Sequence, residues 1–223
     1  MNEERTKLVL VGGIGILILL CIVGIIWAIL AGPTPQSSQS DIPETNLSFS
    51  DDNDPAKGPG EAKVVVRMFS DLQCPACRDA EPGLQYAMKT YGDKVRFVWN
   101  DYPLFPTHKN AVVAANAARC AEEQGKFWEY HDVVYEKQQE WSGLAAPGDL
   151  FKTYAVSLGM NGDSFASCLA ANRYQNKIQA DKTEGDRNGV QATPTFFIGN
   201  IRRTGPAPSS EWDRILKSAL AGS

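Results

Sequence analysis

Seven residues, including Glu3, Glu4, Arg5 and Lys7, precede a run of 24 positions from Leu8 to Ala31 that holds no charged side chain. At ~1.5 Å per residue a helix of that length covers the ~30 Å hydrocarbon core with some tilt. A cleaved signal peptide would carry a shorter apolar stretch, roughly 7–15 residues, before a small-x-small site. The run here is longer and no such site follows, so the pattern predicts a retained transmembrane anchor. Arg5 and Lys7 lie before it, and the next basic residue is Lys57. The positive-inside rule then places residues 1–7 in the cytoplasm and everything after Ala31 outside. Residues 32–60 are polar and rich in Pro, Ser, Asp and Gly, which predicts a flexible acidic spacer.

From residue 61 the pattern changes. Lys63 to Phe69 is a β-branched run that reads as a buried strand. A helix is predicted from Cys74 to about Tyr91, stopped at Gly92 and interrupted by Pro82. Lys94 to Asn100 reads as a second strand, so strand, helix and strand form a βαβ unit with a parallel pair. Helical spacings then fill most of 107–186: Val113, Ala117 and Cys120; Phe127, Tyr130 and Val134; Leu150, Tyr154 and Leu158; Phe165, Cys168 and Leu169. Strand character returns at Thr195 to Ile198 and Ile201 to Thr204, around a Gly199-Asn200 turn. A last helix is predicted from Ser209 or Ser210, carrying Trp212, Ile215, Leu216 and Leu220. The order is β-α-β, a helical block, then β-β-α.

Composition adds two constraints. Hydrophobic residues are 43% and charged residues 22% of the chain, enough for a packed core. The net charge of −4 comes from the spacer and the N-terminus, because residues 58–223 hold 19 acidic and 19 basic side chains. A neutral domain has no electrostatic reason to bind nucleic acid.

The candidate chemistry lies at Cys74-Pro75-Ala76-Cys77, between a strand and a helix. Pro75 suits the first helical position, where its missing N–H would be unpaired anyway. Cys74 then occupies the N-cap, where free N–H groups favour its thiolate, the nucleophile of disulfide exchange. Cys77 follows one turn later, close enough to resolve a mixed disulfide. Zinc is the main competing use of such a pair, but a structural zinc site wants four ligands. The remaining cysteines of the domain, Cys120 and Cys168, stand apart, and the chain has only two histidines. A thiolate pair also suits Cu(I). Redox chemistry is the preferred reading and no metal is assigned. Thr193-Pro194 precedes a predicted strand, and local sequence leaves its peptide bond open between cis and trans.

Taken together, Phe69-Ser70-Asp71-Leu72-Gln73 before Cys74, Pro82 within the helix, Ala192-Thr193-Pro194-Thr195-Phe196-Phe197 before Gly199, and Ala117 to Trp128 in the helical block resemble DsbA-like thiol–disulfide oxidoreductases. The resemblance covers about Glu61 to Ala221 and implies an α/β thioredoxin-like fold with a helical insertion at about 106–188. It implies that Cys74 attacks, that Cys77 resolves, that Pro194 is cis, and that Pro75, Ala76, Thr193 and Pro194 surround the bound substrate. It implies no cofactor beyond the cysteine pair. The activity expected is oxidation of cysteines in exported proteins, with a quinone-linked membrane oxidase restoring the disulfide. A reductase or isomerase of the same fold, or a tethered metal-binding or chaperone module without turnover, is the alternative. Family members commonly carry a buried acid six residues before the first active cysteine, and this chain has Met68 there. Some also carry a second cysteine pair to which Cys120 and Cys168 are similar. An exported domain favours their pairing as a disulfide between two helices over two buried free thiols.

Overall fold

The computed structural model describes Cys21, residues 40–41, 47–50 and 54–223. The predicted cytoplasmic tail, and the predicted anchor Leu8–Ala31 apart from Cys21, lie outside the described residues. Among the described residues, no helix is long and apolar enough to cross a membrane.

Among the described residues, six strands form one sheet: β1 (Ser40–Asp41), β2 (Ala56–Lys57), β3 (Val64–Ser70), β4 (Val95–Asp101), β5 (Thr195–Ile198) and β6 (Ile201–Thr204), in the order β1-β6-β5-β3-β4-β2. β3 runs parallel to β4, with Val64 opposite Val95 and Ser70 opposite Asp101. β5 runs antiparallel to β3, with Phe69 opposite Thr195 and Val66 opposite Ile198. The predicted parallel pair is therefore present, and β5 and β6 pair antiparallel across the predicted turn. α1 (Pro75–Tyr91) makes the β3–β4 crossover. The helical block comprises α2 (Ala111–Glu122), α3 (Phe127–Glu136), α4 (Gln138–Trp141), α5 (Gly148–Ser157), α6 (Gly162–Ala170) and α7 (Gln175–Arg187), and α8 (Ser209–Ala221) ends the chain.

The sheet is covered on both faces, as a parallel pair of near-continuous apolar strands requires. Val64, Val66 and Met68 belong to the larger core, which also holds Leu84, Ala87, Trp212 and Leu216 of α1 and α8. Gly83 of α1 lies against the segment that leads into α8, where an added Cβ would lie 2.0 Å from the Ala207 carbonyl oxygen and 3.3 Å from the Trp212 ring. Phe69 and Phe197 face the other way, into a smaller core with Tyr102 and Val190.

One expectation is corrected. The described parts of the supposed spacer at 32–60 are built into the domain. β1 pairs with β6, and β2 pairs with β4. Phe49 packs 5.2 Å from the Phe197 ring and 6.2 Å from the Phe69 ring. Asp54 is buried and accepts from Arg119 Nη2 at 2.9 Å and from Lys177 Nζ at 2.7 Å. Arg119 also reaches Asp101 at the end of β4 and Asp181 of α7, each at 2.7 Å. A polar segment is read as spacer when it has too few apolar residues to form a core of its own. This one completes a core that the rest of the chain has already formed, and a buried guanidinium gives Asp54 a partner that local sequence cannot reveal.

Candidate active site

The carboxyl end of β3 delivers the chain into Asp71-Leu72-Gln73 and then into α1. Cys74 is the N-cap of α1, with extended φ −72° and ψ 122°, and Pro75 follows at the first helical position. The amides of Cys77 and Arg78 both donate to the Cys74 carbonyl, at 3.1 and 3.2 Å, and wind the first turn. Pro75 is exposed and Ala76 half-buried. Cys74 retains 6% of its surface and Cys77 only 1%; both are free thiols.

Because β5 is antiparallel to β3, its amino end meets this turn. The Thr193–Pro194 peptide bond is cis, and the Cys74 thiol donates to the Thr193 carbonyl over 3.6 Å. The structure thus brings five of the six residues predicted for the active site, Cys74, Pro75, Ala76, Cys77 and Thr193, to one place, with Pro194 bonded to the last. Cys120 and Cys168 are elsewhere: they join α2 to α6 as a disulfide.

The two active-site thiols are electrostatically unlike. Cys74 is lowered from 9.0 to about 6, first by a hydrogen bond from the Cys77 thiol, then by Thr193 and by the amides of Cys77 and Ala76, all working against burial. Burial pushes Cys77 well up, and the neighbouring Cys74 pushes in the same direction. A thiolate at Cys74 and a thiol at Cys77 is therefore the preferred pair of states near neutral pH. One sulfur is ready to attack or be attacked, and the other stays protected behind it.

Residues that sequence reading did not single out hold this turn in place. Asp71 is buried and accepts from the Gln73 amide at 2.7 Å and from the Leu104 amide at 2.9 Å. His108 Nδ1 lies 2.6 Å from its second oxygen. Gln138 of α4 donates to the Leu72 and Cys74 carbonyls at 2.8 and 3.1 Å. Gln73 accepts from the Asn110 amide and donates to the Ser142 carbonyl. The helical block thus clamps the cysteine turn from above. The signal available in the sequence was the Asp71-Leu72-Gln73 stretch itself; His108, Asn110 and Gln138 are 30 to 70 residues away and carry no local mark. Met68, where a family acid would stand, is fully buried in the sheet and can neither take nor give a proton.

A family model described as Thioredoxin matches residues 50–218. The chain belongs to the thioredoxin family. Its match begins at residue 50, in accord with the folded position of Asp54 and β2. Among solved structures, this thioredoxin-family chain is similar to DsbA from Chlamydia trachomatis, with a TM-score of 0.69 and 17% identity over 82% of this chain and 99% of that one. It is also similar to a thioredoxin-like oxidoreductase from Silicibacter pomeroyi DSS-3, with a TM-score of 0.65 and 23% identity over 78% of this chain and 95% of that one. The shared fold is that of the DsbA-like members, with the helical block inserted between β4 and β5. A curated relative, the Na(+)/H(+) antiporter NhaA 3 of Salinispora tropica, is 38% identical over 170 residues, which are 76% of this chain and 25% of that protein. The chain spans about a quarter of the length of the curated relatives it matches.

Proposed function

We propose that the chain is an extracytoplasmic thiol–disulfide oxidoreductase that introduces disulfides into exported proteins through Cys74 and Cys77. The observation that carries this reading is the asymmetry of the pair: a sulfur stabilised as thiolate at a helix N-terminus, and a more deeply buried one held as thiol, both beside the backbone at Thr193. In the oxidised protein a substrate thiolate attacks Cys74 Sγ. The Cys74–Cys77 bond breaks, and Cys77 leaves with the electron pair and takes a proton. A second substrate thiolate then attacks the substrate sulfur of the mixed disulfide. Cys74 leaves as a thiolate and the substrate disulfide is formed.

Stabilising the leaving Cys74 thiolate favours the reduced enzyme and makes its disulfide a stronger oxidant. That supports the oxidising direction. The Thr193 backbone beside the sulfur suits pairing with an extended client segment, which recognises main chain more than sequence. The Cys120–Cys168 disulfide supports a compartment where such bonds persist. The apolar run Leu8–Ala31 would keep the domain at the membrane, within reach of a quinone-linked oxidase that restores the pair. The test is to mix the oxidised full-length chain with a reduced two-cysteine client. One client disulfide should form per Cys74–Cys77 pair consumed; in the converse mixture, the reduced Cys77→Ala variant should attack the disulfide of the oxidised client through Cys74, releasing one client thiol and leaving the mixed disulfide trapped at Cys74. Absence of transfer, with tight metal binding by the pair instead, would sink the reading.

A further inference from the structure

His131 of α3 is fully buried, with the rings of Trp99, Trp128 and Tyr135 centred 4.9, 5.4 and 4.9 Å from its own. This packing fixes where its two nitrogens point. Nδ1 lies 2.9 Å from Asp132 Oδ1. A carboxylate can only accept there, so Nδ1 carries the proton and Nε2 keeps a lone pair. Nε2 has no hydrogen-bond partner. It faces Glu81 Oε1 of α1 at 3.7 Å, a separation too long for a hydrogen bond and an atom that is itself an acceptor. Buried polar atoms are nearly always paired, so a lone pair aimed at a carboxylate in a dry site calls for a cation between them.

The spacing suits a shared ion. Zinc binds nitrogen and oxygen ligands at ~2.0–2.2 Å, so two ligands of a tetrahedral ion stand about 3.4 Å apart. The observed 3.7 Å is close to that. One ligand atom from each of Glu81, His131 and Asp132 lies within 4.8 Å of the other two. Gln85 Nε2 donates to Asp132 Oδ1 at 2.9 Å and to Glu81 Oε2 at 3.4 Å, which holds the two carboxylates together and leaves Glu81 Oε1 toward the histidine. A groove of about 320 Å³ between α1 and α3, lined by Glu81, Gln85, Asp132 and Glu136 among others, gives an ion and its waters a way in. The nearby cations are engaged elsewhere: Arg78 lies 3.2 Å from Asp79, and Lys57 Nζ sits 5.4 Å over the Trp128 ring.

We propose that Glu81, His131 and Asp132 form a binding site for a divalent metal ion of the zinc class. His131 Nε2 and the Glu81 carboxylate ligate the ion, and water from the groove fills its remaining positions. Asp132 acts at the other ring nitrogen, fixing the tautomer and orientation of the ligating histidine, a common arrangement behind metal-bound imidazoles. Imidazole paired with carboxylate suits zinc and its neighbours in the first transition row, whereas calcium and magnesium take oxygen ligands. The bound ion ties α1, which carries the cysteine pair, to α3 of the helical insertion. The site uses no thiol and goes beyond the exchange reading.

The experiment titrates Zn²⁺ into the full-length chain with the Cys74–Cys77 and Cys120–Cys168 pairs both oxidised and Cys21 alkylated, so that no thiol can take the metal. One equivalent should bind. In the chain of natural sequence, the imidazole nitrogen resonances of His131 should move on binding, Nε2 most, while those of His108, the other histidine of the chain, should stay in place. That readout does not depend on how any variant folds. Glu81→Gln should weaken zinc binding at least about 10-fold, and Asp132→Asn about 10–100-fold. Added zinc should raise the thermal midpoint of the natural chain more than that of Glu81→Gln. No zinc bound, zinc bound with the His131 resonances unmoved, or undiminished affinity in Glu81→Gln would overturn the site and leave the exchange reading as it is. Disulfide transfer is measured separately, and its failure would overturn the exchange reading alone.

Discussion

Replacing Cys77 by Ala removes the largest cause of the Cys74 shift and leaves the others in place. With Cys74 at about 6 rather than 9.0, about nine-tenths of it is thiolate at pH 7, against about one-hundredth for an unshifted thiol. A hydrogen bond to a charged group contributes about 1.5–3 kcal/mol. At 1.36 kcal/mol per pH unit, losing it should raise the Cys74 midpoint by about 1–2 units. At pH 7 the thiolate fraction, and with it the alkylation rate, should fall to between about half and one-tenth. The assay is the rate of iodoacetamide alkylation against pH on the reduced protein and on Cys77→Ala, with thiolate ultraviolet absorbance as a second readout. A midpoint that stays near 6 in the variant would refute the reasoning, and would assign the shift to the helix N-terminus and the Thr193 side. The same shift has a sign for stability. A lowered folded value stabilises the reduced protein fully above 9.0, and the effect is lost as pH falls through about 6. Denaturant midpoints of the reduced chain should therefore rise across that window relative to the Cys74→Ala variant.

Replacing both Cys120 and Cys168 by Ala opens a loop of 48 residues and should cost about 2–4 kcal/mol in urea unfolding, with Cys74 alkylation unchanged; no loss of stability would count against the staple. Arg119→Ala leaves Asp54, Asp101 and Asp181 without their shared buried cation and should cost about 3–5 kcal/mol, whereas a loss below about 1 kcal/mol would show that water replaces it. Mass spectrometry of membrane fractions should find the N-terminus intact through Leu8–Ala31, and a soluble product beginning near Gly32 would refute the anchor.

Much of the domain could be read along the chain. Period-two and β-branched runs marked β3 and β4, the Gly199-Asn200 turn marked the β5–β6 hairpin, and helical spacings marked the insertion. Each is a local pattern whose burial requirement is written into consecutive residues. Cys74-Pro75-Ala76-Cys77 was legible for the same reason, since a strand end, an N-cap and a first-turn proline are neighbours in sequence. What tertiary structure alone decided involves groups distant along the chain. Asp54 belongs to the folded unit because Arg119, buried, and Lys177, half-buried, 65 and 123 residues on, pair with it. The cysteine turn is held by His108, Asn110 and Gln138 from an insertion whose polar residues look like any solvated helix face until the block folds over Asp71. Glu81 reads as an ordinary helix carboxylate, and only α3, packing His131 and Tyr135 against α1, shields it from water. Local sequence determines where an element forms and which face it buries. The identity of the polar group buried opposite is a property of the pairing, and a pairing between distant segments leaves no mark on either one alone.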